Sequence, residues 1–192
     1  MTTNLLINYF VEHVPLNTEH IVVVSPNSEC VSKARKFQVG FTNAFKSDVK
    51  MATFFATDTS SGPADVDKLS FLTDGANEVA LAGADVVVVD DMIDTAGTIS
   101  TLAARLKSAG AAKVYICASH GIFASDSMDK IDSAQVDKVV VTNTLPLPPK
   151  FSSKVVQVSI ASMLADVILA EHFRMQNYDD DDVSEVVRAE DF

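Results

Sequence analysis

Val86-Val87-Val88-Val89-Asp90-Asp91-Met92-Ile93-Asp94-Thr95-Ala96-Gly97-Thr98 is the stretch whose reading decides the fold. Four consecutive valines make an apolar, β-branched run. A strand covered on both faces by crossover helices reads this way, without alternation, so the run predicts a buried strand of a parallel sheet. It empties into a turn of carboxylates, small residues and hydroxyls, and a helix follows. Over Thr98–Ser108, Ile99, Leu102, Ala103 and Leu106 fall at helical spacing, and Gly110 is the stop signal. In an open parallel sheet, ligands bind outside the carboxyl ends of the strands, which places the candidate site in this turn. Amides from Thr95 to Thr98 can converge on a phosphate, Gly97 lets the backbone approach it closely, and the Thr95 and Thr98 hydroxyls add donors. Asp90 and Asp91 can accept hydrogen bonds from sugar hydroxyls, directly or through a divalent cation. A sugar phosphate suits this set. The plainer alternative is that Asp94 or Thr95 caps the helix and the adjacent aspartates are ordinary turn residues. A nucleotide fingerprint fits less well, since neither Gly-x-Gly-x-x-Gly nor Gly-Lys-Ser/Thr occurs here.

Working outward, apolar runs of the same kind recur at Ile21–Ser25, Met51–Ala56, Lys113–Ala118, Lys138–Thr142 and Val155–Ser159, beside Asp85–Asp90 itself. Helical spacing appears in Asn4–Val14, through Leu5, Leu6, Tyr9 and Phe10, and in Ala161–Phe173, through Met163, Leu164, Val167 and Ile168. Strands alternating with helices predict an α/β, doubly wound, mainly parallel sheet flanked by helices. Residues Thr57–Gly83 read as a long loop with a short hairpin or strand around Lys68–Thr73. The domain is expected over residues 1–174. The remaining 175–192, with the block Asp179-Asp180-Asp181-Asp182, is expected to be an acidic, disordered tail.

Composition narrows the function classes. The chain has 192 residues, 47% of them hydrophobic, enough for the core of a single domain. A formal net charge of −11 argues against a nucleic-acid partner or an anionic membrane surface, both of which need a positive field. No stretch approaches the roughly 18 uninterrupted apolar residues of a membrane span, so no membrane partner is expected. Two cysteines, Cys30 and Cys117, are too few for a disulfide framework, and a reducing, cytoplasmic setting is the expectation. Cys30 has no base spaced around it and reads as structural. His120 reads as a hydrogen-bonding residue just after a strand, with a ligand contact as the alternative.

The run 88–99, Val-Val-Asp-Asp-Met-Ile-Asp-Thr-Ala-Gly-Thr-Ile, resembles the phosphoribosyl-pyrophosphate signature of type I phosphoribosyltransferase folds, in the version carried by ribose-phosphate pyrophosphokinases. Three further stretches resemble the same family. They are Ala118-Ser119-His120-Gly121, the strand and loop Val139–Pro148, and Val22-Val23-Val24-Ser25-Pro26 with Ala34-Arg35-Lys36. The matches cover most of residues 4–173. The resemblance implies that Asp90 and Asp91 hold the ribose hydroxyls and that Asp94, Thr95, Ala96, Gly97 and Thr98 form the 5-phosphate loop. It implies ribose 5-phosphate or phosphoribosyl pyrophosphate as ligand, magnesium as cofactor, and a homo- or hetero-oligomer. The reaction it implies is transfer of diphosphate from ATP to ribose 5-phosphate in nucleotide biosynthesis.

The chain departs from the family's pattern in three places. Family members of ordinary length carry an N-terminal domain of similar fold that supplies most of the ATP contacts, and this chain begins near their midpoint, so ATP is expected only with a partner domain. An Asp-Ala-Gly-Gly stretch linked to metal binding is replaced by Asn27-Ser28-Glu29-Cys30. The segment Thr57-Asp58-Thr59-Ser60-Ser61, where a catalytic Lys and Arg are expected, has neither, and Lys68 is the nearest cation downstream. Phosphoryl-type transfer depends on cations that neutralise the moving oxygens. Two readings follow: a family enzyme inactive as an isolated chain, or a non-catalytic regulatory or assembly subunit of a full-length member. A nucleobase phosphoribosyltransferase would need a hood over the loop, for which little sequence is left. No residue is assigned as catalytic or as a metal ligand.

Overall fold

The valine runs do form the strands. In the computed structural model, which describes residues 2–54 and 79–188, strand β1 is Ile21–Ser25, β2 Lys50–Thr53, β3 Asp85–Ile93, β4 Lys113–Gly121, β5 Lys138–Thr142 and β6 Val155–Val158. Helix α1 is Thr2–His13, α2 Val31–Phe45, α3 Gly97–Ser108, α4 Ser127–Ser133 and α5 Ala161–Arg188. The strands make one sheet in the order β2-β1-β3-β4-β5-β6, and every neighbouring pair is parallel. The expected long loop Thr57–Gly83 lies outside the described residues up to 78, and the expected hairpin at Lys68–Thr73 lies wholly outside them.

Register explains the unbroken apolar runs. Val22 pairs with Val86, Val88 with Ile116 and Ile116 with Val139, so the even-numbered valines of β1 and β3 share one face. That face packs with Ile99, Leu102 and Leu106 of α3 and Ile131 of α4. Val23, Val87, Val89, Tyr115 and Val140 share the opposite face and pack with Leu6 and Phe10 of α1 and Phe37 and Phe41 of α2. Burying both sets of side chains removes them from water at roughly 1.5–3 kcal/mol each, an upper estimate that conformational entropy offsets. A slip by one residue would exchange the two faces and misplace the phenylalanines.

Two further helices complete the fold. Helix α2 carries Ala34, Phe37 and Phe41 at helical spacing among lysines and an arginine, and it ends at Lys46 in a left-handed conformation (φ 55°). Helix α4 is only seven residues long. Strands β3 and β4 each run three residues further than predicted, because their pairing continues through Met92↔His120 and Ile93↔Gly121. The segment expected to be a turn, from Asp91 to Ile93, is therefore still strand.

The chain divides into two compact units, Met1–Val158 and Ser159–Phe192. The second is built on α5, whose 28 residues span about 42 Å at 1.5 Å per residue. Its backbone is helical across 175–188, where the sequence reading expected a disordered end. No Gly or Pro interrupts the sequence from Ala161 to Arg188, and extending an existing helix is far cheaper than nucleating one. Among the described residues, no helix is long and apolar enough to cross a membrane.

Strand order reverses between β1 and β3, since the chain runs from β1 outward to β2 and then returns to place β3 on the other side of β1. Ligand sites in doubly wound sheets sit at the carboxyl ends of the strands at such a switch point. Here that crevice is walled by the loop after β1 and the end of β3.

Candidate functional site

The loop after β1 is built by short-range hydrogen bonds. Ser25 Oγ donates to the Asn27 carbonyl (2.6 Å), and the Cys30 amide donates to Asn27 Oδ1 (3.0 Å), an Asx-type turn that delivers the chain into α2. Cys30 is thereby buried at the helix entrance, and its Sγ donates to Asp90 Oδ1 across the crevice (3.3 Å). The same carboxylate oxygen accepts the Asp91 amide (2.8 Å). One helical turn on, Lys33 Nζ donates to the Asp90 carbonyl (3.0 Å) and to Ser119 Oγ at the end of β4 (3.1 Å). Thr142 Oγ1 donates to the Ser119 carbonyl (2.6 Å) and to Thr144 Oγ1 (3.0 Å), while His120 Nδ1 lies 2.7 Å from Thr144 Oγ1. Hydroxyls and one ammonium thus tie the ends of β3, β4 and β5 to the start of α2.

Electrostatics follow from that placement. Burial pushes the half-buried Asp90 carboxyl above the usual carboxylate range; the Asp91 amide and the Cys30 thiol work against this, and the neighbouring Asp91 carboxylate adds to it. Burial, reinforced by the Asp90 carboxylate, pushes the Cys30 thiol up to about 11. Burial also raises Cys117, which lies in the core of β4. Neither thiol is in the electropositive, accessible setting of a nucleophile.

Asp90 and Asp91 lie near the carboxyl end of β3, within the strand and not in the turn the sequence predicted, with Asp90 half-buried and Asp91 exposed. Beyond them Asp94, Thr95 and Thr98 face solvent, Gly97 is half-buried and Ala96 is buried. Ala96 takes the N-cap position of α3 in a left-handed conformation (φ 58°, ψ 8°), with no side-chain cap bond. Neither Asp94 nor Thr95 caps the helix, so the plainer reading of those two residues does not hold. A left-handed alanine costs on the order of 1 kcal/mol, and burial of its methyl in the core holds it there. Its carbonyl still accepts from the Ser100 amide (3.0 Å) and Ser100 Oγ (2.9 Å). The result is a turn whose leading amides carry no side-chain cap at the positive end of a helix, a concavity suited to an anion.

A cleft of about 230 Å³ lies at the start of α2, with Glu29, Cys30, Lys33, Lys36 and Asp91 on its walls. Ligand atoms of Cys30, Asp90 and Asp91 lie within 4.8 Å of one another. As a set they do not suit magnesium, which takes oxygen donors, because the thiol is soft and keeps its proton. The two carboxylates suit it by themselves, in the manner of a magnesium held by one or two acids plus substrate phosphates. Thr57–Ser61 and Lys68 lie outside the described residues. Lys33 is the functional-site residue that the sequence reading missed; its signal was its place three residues into a helix that starts at the switch point.

A parallel doubly wound sheet, a strand with paired aspartates near its carboxyl end and an uncapped left-handed turn opening the next helix together define a type I phosphoribosyltransferase-like α/β protein. The phosphoribosyl synthetase-associated domain matches residues 77–179, and the chain belongs to that family, the ribose-phosphate pyrophosphokinases. It is 32% identical over 166 residues to the ribose-phosphate pyrophosphokinase of Clostridium perfringens, covering 85% of this chain and 47% of that one. With the ribose-phosphate pyrophosphokinase of Listeria ivanovii it shares 34% over 170 residues, 88% of this chain and 48% of that one. In three dimensions it is similar to phosphoribosylpyrophosphate synthetase from Mycobacterium smegmatis, with a TM-score of 0.69 and 29% identity, over 90% of this chain and 51% of the other. The chain spans about half the length of the curated relatives it matches.

Proposed function

We propose that this chain binds ribose 5-phosphate, free or within phosphoribosyl pyrophosphate, with Asp90 and Asp91 on the ribose hydroxyls and residues 94–98 around the 5-phosphate. The observation that carries the reading is the uncapped, left-handed Ala96 turn directly beyond two carboxylates at the switch point. Asp94, Thr95, Gly97 and Thr98 supply backbone amides and hydroxyls there, and the positive end of α3 favours the phosphate charge. In this account the chain contributes one half of a diphosphate transfer from ATP to ribose 5-phosphate in nucleotide biosynthesis. ATP engages only with a partner domain, in a homo- or hetero-oligomer in the cytoplasm. Magnesium, held by the Asp90 and Asp91 carboxylates, would neutralise phosphate oxygens during the transfer.

A second reading has its own support. Asn27 stands where the family resemblance places a metal-linked aspartate, and its side-chain oxygen is already committed to the Cys30 amide. Together with the absence of Lys and Arg in Thr57–Ser61, this favours a chain that binds the sugar phosphate without turning it over, as a regulatory or assembly subunit of a full-length relative.

The test is a backbone amide spectrum of the chain titrated with ribose 5-phosphate, ribose and inorganic phosphate. Saturable shifts of the 95–98 amides with ribose 5-phosphate, weaker with either fragment, are the expected result. Shifts confined to other parts of the chain would overturn the assignment. Adding a full-length relative and ATP with magnesium then separates the two readings, since only the first expects new phosphoribosyl pyrophosphate formation that depends on Asp91.

A further inference from the structure

The turn after β4 is strained, and the strain is placed against the phosphate loop. Phe123 and Ser125 both adopt left-handed backbone conformations (φ 54° and 56°), and neither is a glycine. A bulky aromatic in that region is a genuine outlier that persists only when its surroundings over-determine it. Three surroundings do so here. The Ile122 and Phe123 amides both donate to the Ile93 carbonyl (2.8 and 3.1 Å), and the Ala124 amide donates to the Asp94 carbonyl (3.2 Å). The Phe123 ring is 6% exposed and belongs to the buried cluster that holds Ile93, Ala96 and Ile99. Gly121 leaves the space that the ring edge fills, for a Cβ at that position would lie 2.2 Å from Phe123 Cε2 and 2.7 Å from its Cζ.

We infer that Phe123 is a positioning residue for the phosphate loop. Its ring, seated over Gly121, holds the 122–124 backbone as a strap on the Ile93 and Asp94 carbonyls, and the strap fixes the left-handed turn at Ala96. The three donors reach the last residue of β3 and the first of the loop, so any rotation of the 93–94 peptides that would let Ala96 relax must first break them. The bonded carbonyls and the ring act on the loop from opposite ends, one at its entry and one in the core beneath it. Phe123 touches no ligand in this account; it prepays the ordering of the loop before the ligand arrives. The ligand side of the inference rests on the sugar-phosphate reading above, whereas the strap itself does not.

Amide hydrogen exchange on the unliganded full chain tests the strap directly. Ser100 donates to the Ala96 carbonyl, so its amide reports the turn, while the amides of 122–124 report the strap and those of β1 report global opening. Gly121→Ala should raise exchange at Ser100 and at 122–124 by at least about tenfold with β1 unchanged. Phe123→Leu, which removes the ring edge without a clash, should do the same more mildly. The double variant should lie closer to wild type than Gly121→Ala alone, because the added methyl then enters the space the ring vacated, a non-additivity that a contact pair produces. Phe41→Leu, in the core on the other face of the sheet, is the control at matched overall stability and should leave Ser100 unaffected. Equal Ser100 exchange in Gly121→Ala and in Phe41→Leu at that matched stability would overturn the inference, as would strict additivity in the double variant. If Gly121→Ala fails to fold, Phe123→Leu against Phe41→Leu decides by the same comparison. Ribose 5-phosphate affinity should fall in parallel with Ser100 protection. Failure of the wild-type chain to bind the sugar phosphate would count against the proposed function and leave the exchange result standing.

Discussion

The Cys30 thiol donates to Asp90 Oδ1 at 3.3 Å, joining the loop after β1 to the end of β3 across the point where strand order reverses. The bond couples the two walls of the crevice. With the Asp91 amide on the same oxygen, Asp90 is held in one orientation before any ligand arrives. The side chain that most needs to be aimed is therefore aimed by its neighbours.

The thiol should be inert in the native protein. With Cys30 raised to about 11, only about one molecule in a thousand carries the thiolate at pH 8. Cys117 is fully buried in β4. Labelling with a disulfide reagent at pH 8 should be slow for both thiols in the folded chain and should reach two equivalents promptly in guanidinium. Rapid native labelling of one thiol would contradict the buried placement of Cys30.

Asp90 should cost stability when ionised. Its folded-state pKa lies above the unfolded value of 3.8, so the native state binds protons more readily than the unfolded chain, and stability falls as pH rises from about 4 through the folded-state value. Asp90→Asn removes that loss and keeps an oxygen for the Asp91 amide and the Cys30 thiol. The variant should be more stable than wild type at pH 7, with the difference shrinking to nothing below pH 4. Urea midpoints measured across that pH range check the sign. A variant less stable than wild type at pH 7 would mean that ionised Asp90 is better paired than its surroundings indicate.

Lys33 should be a structural tie as well as part of the cleft. Its ammonium bonds the Asp90 carbonyl and Ser119 Oγ, joining α2 to β3 and β4. Lys33→Met keeps the stem and removes both bonds. Charge-assisted hydrogen bonds contribute about 1.5–3 kcal/mol each at most, and partial exposure here brings the expected total loss to roughly 1–3 kcal/mol by urea unfolding. A loss below a few tenths of a kcal/mol would show that solvent replaces the ammonium without cost.

The core should be unforgiving on the α3 side. Leu102 is 1% exposed, and Leu102→Ala should cost about 2–5 kcal/mol, measurable as a shift in the urea midpoint with an unchanged slope. A changed slope would mean that α3 detaches from the sheet before global unfolding.

Much of this was legible in the sequence for a physical reason. Strands buried on both faces leave no room for polar residues, so runs such as Val86–Val89 and Val139–Val141 announce themselves. The turn 94–98 was legible as a break between strand and helix because the small residues Ala96 and Gly97 follow an unbroken apolar run. Other features were hidden by tertiary context. The three-residue extensions of β3 and β4 depend on pairing between Met92 and His120, two side chains with no local strand signal. The extent of helix α2 was obscured because Lys33, Arg35 and Lys36 interrupt the apolar spacing of Ala34, Phe37 and Phe41. The seat of Phe123 on Gly121 could not be read at all, since nothing in an Ile-Phe-Ala-Ser run predicts two left-handed residues. Helicity beyond Arg174 was missed because like charges at 179–182 outweighed the absence of helix breakers.

The most direct test of the account is calorimetric titration of the chain with ribose 5-phosphate, with and without magnesium, in wild type and in the Asp90→Asn, Asp91→Asn double variant. The account predicts saturable one-site binding by wild type, and at least about a tenfold loss in the double variant with its fold intact by circular dichroism, as expected when two charged acceptors of ribose hydroxyl protons are made neutral. Equal affinity in the two proteins, or no binding by wild type in either condition, would contradict the assignment of residues 90–98 as a sugar-phosphate site.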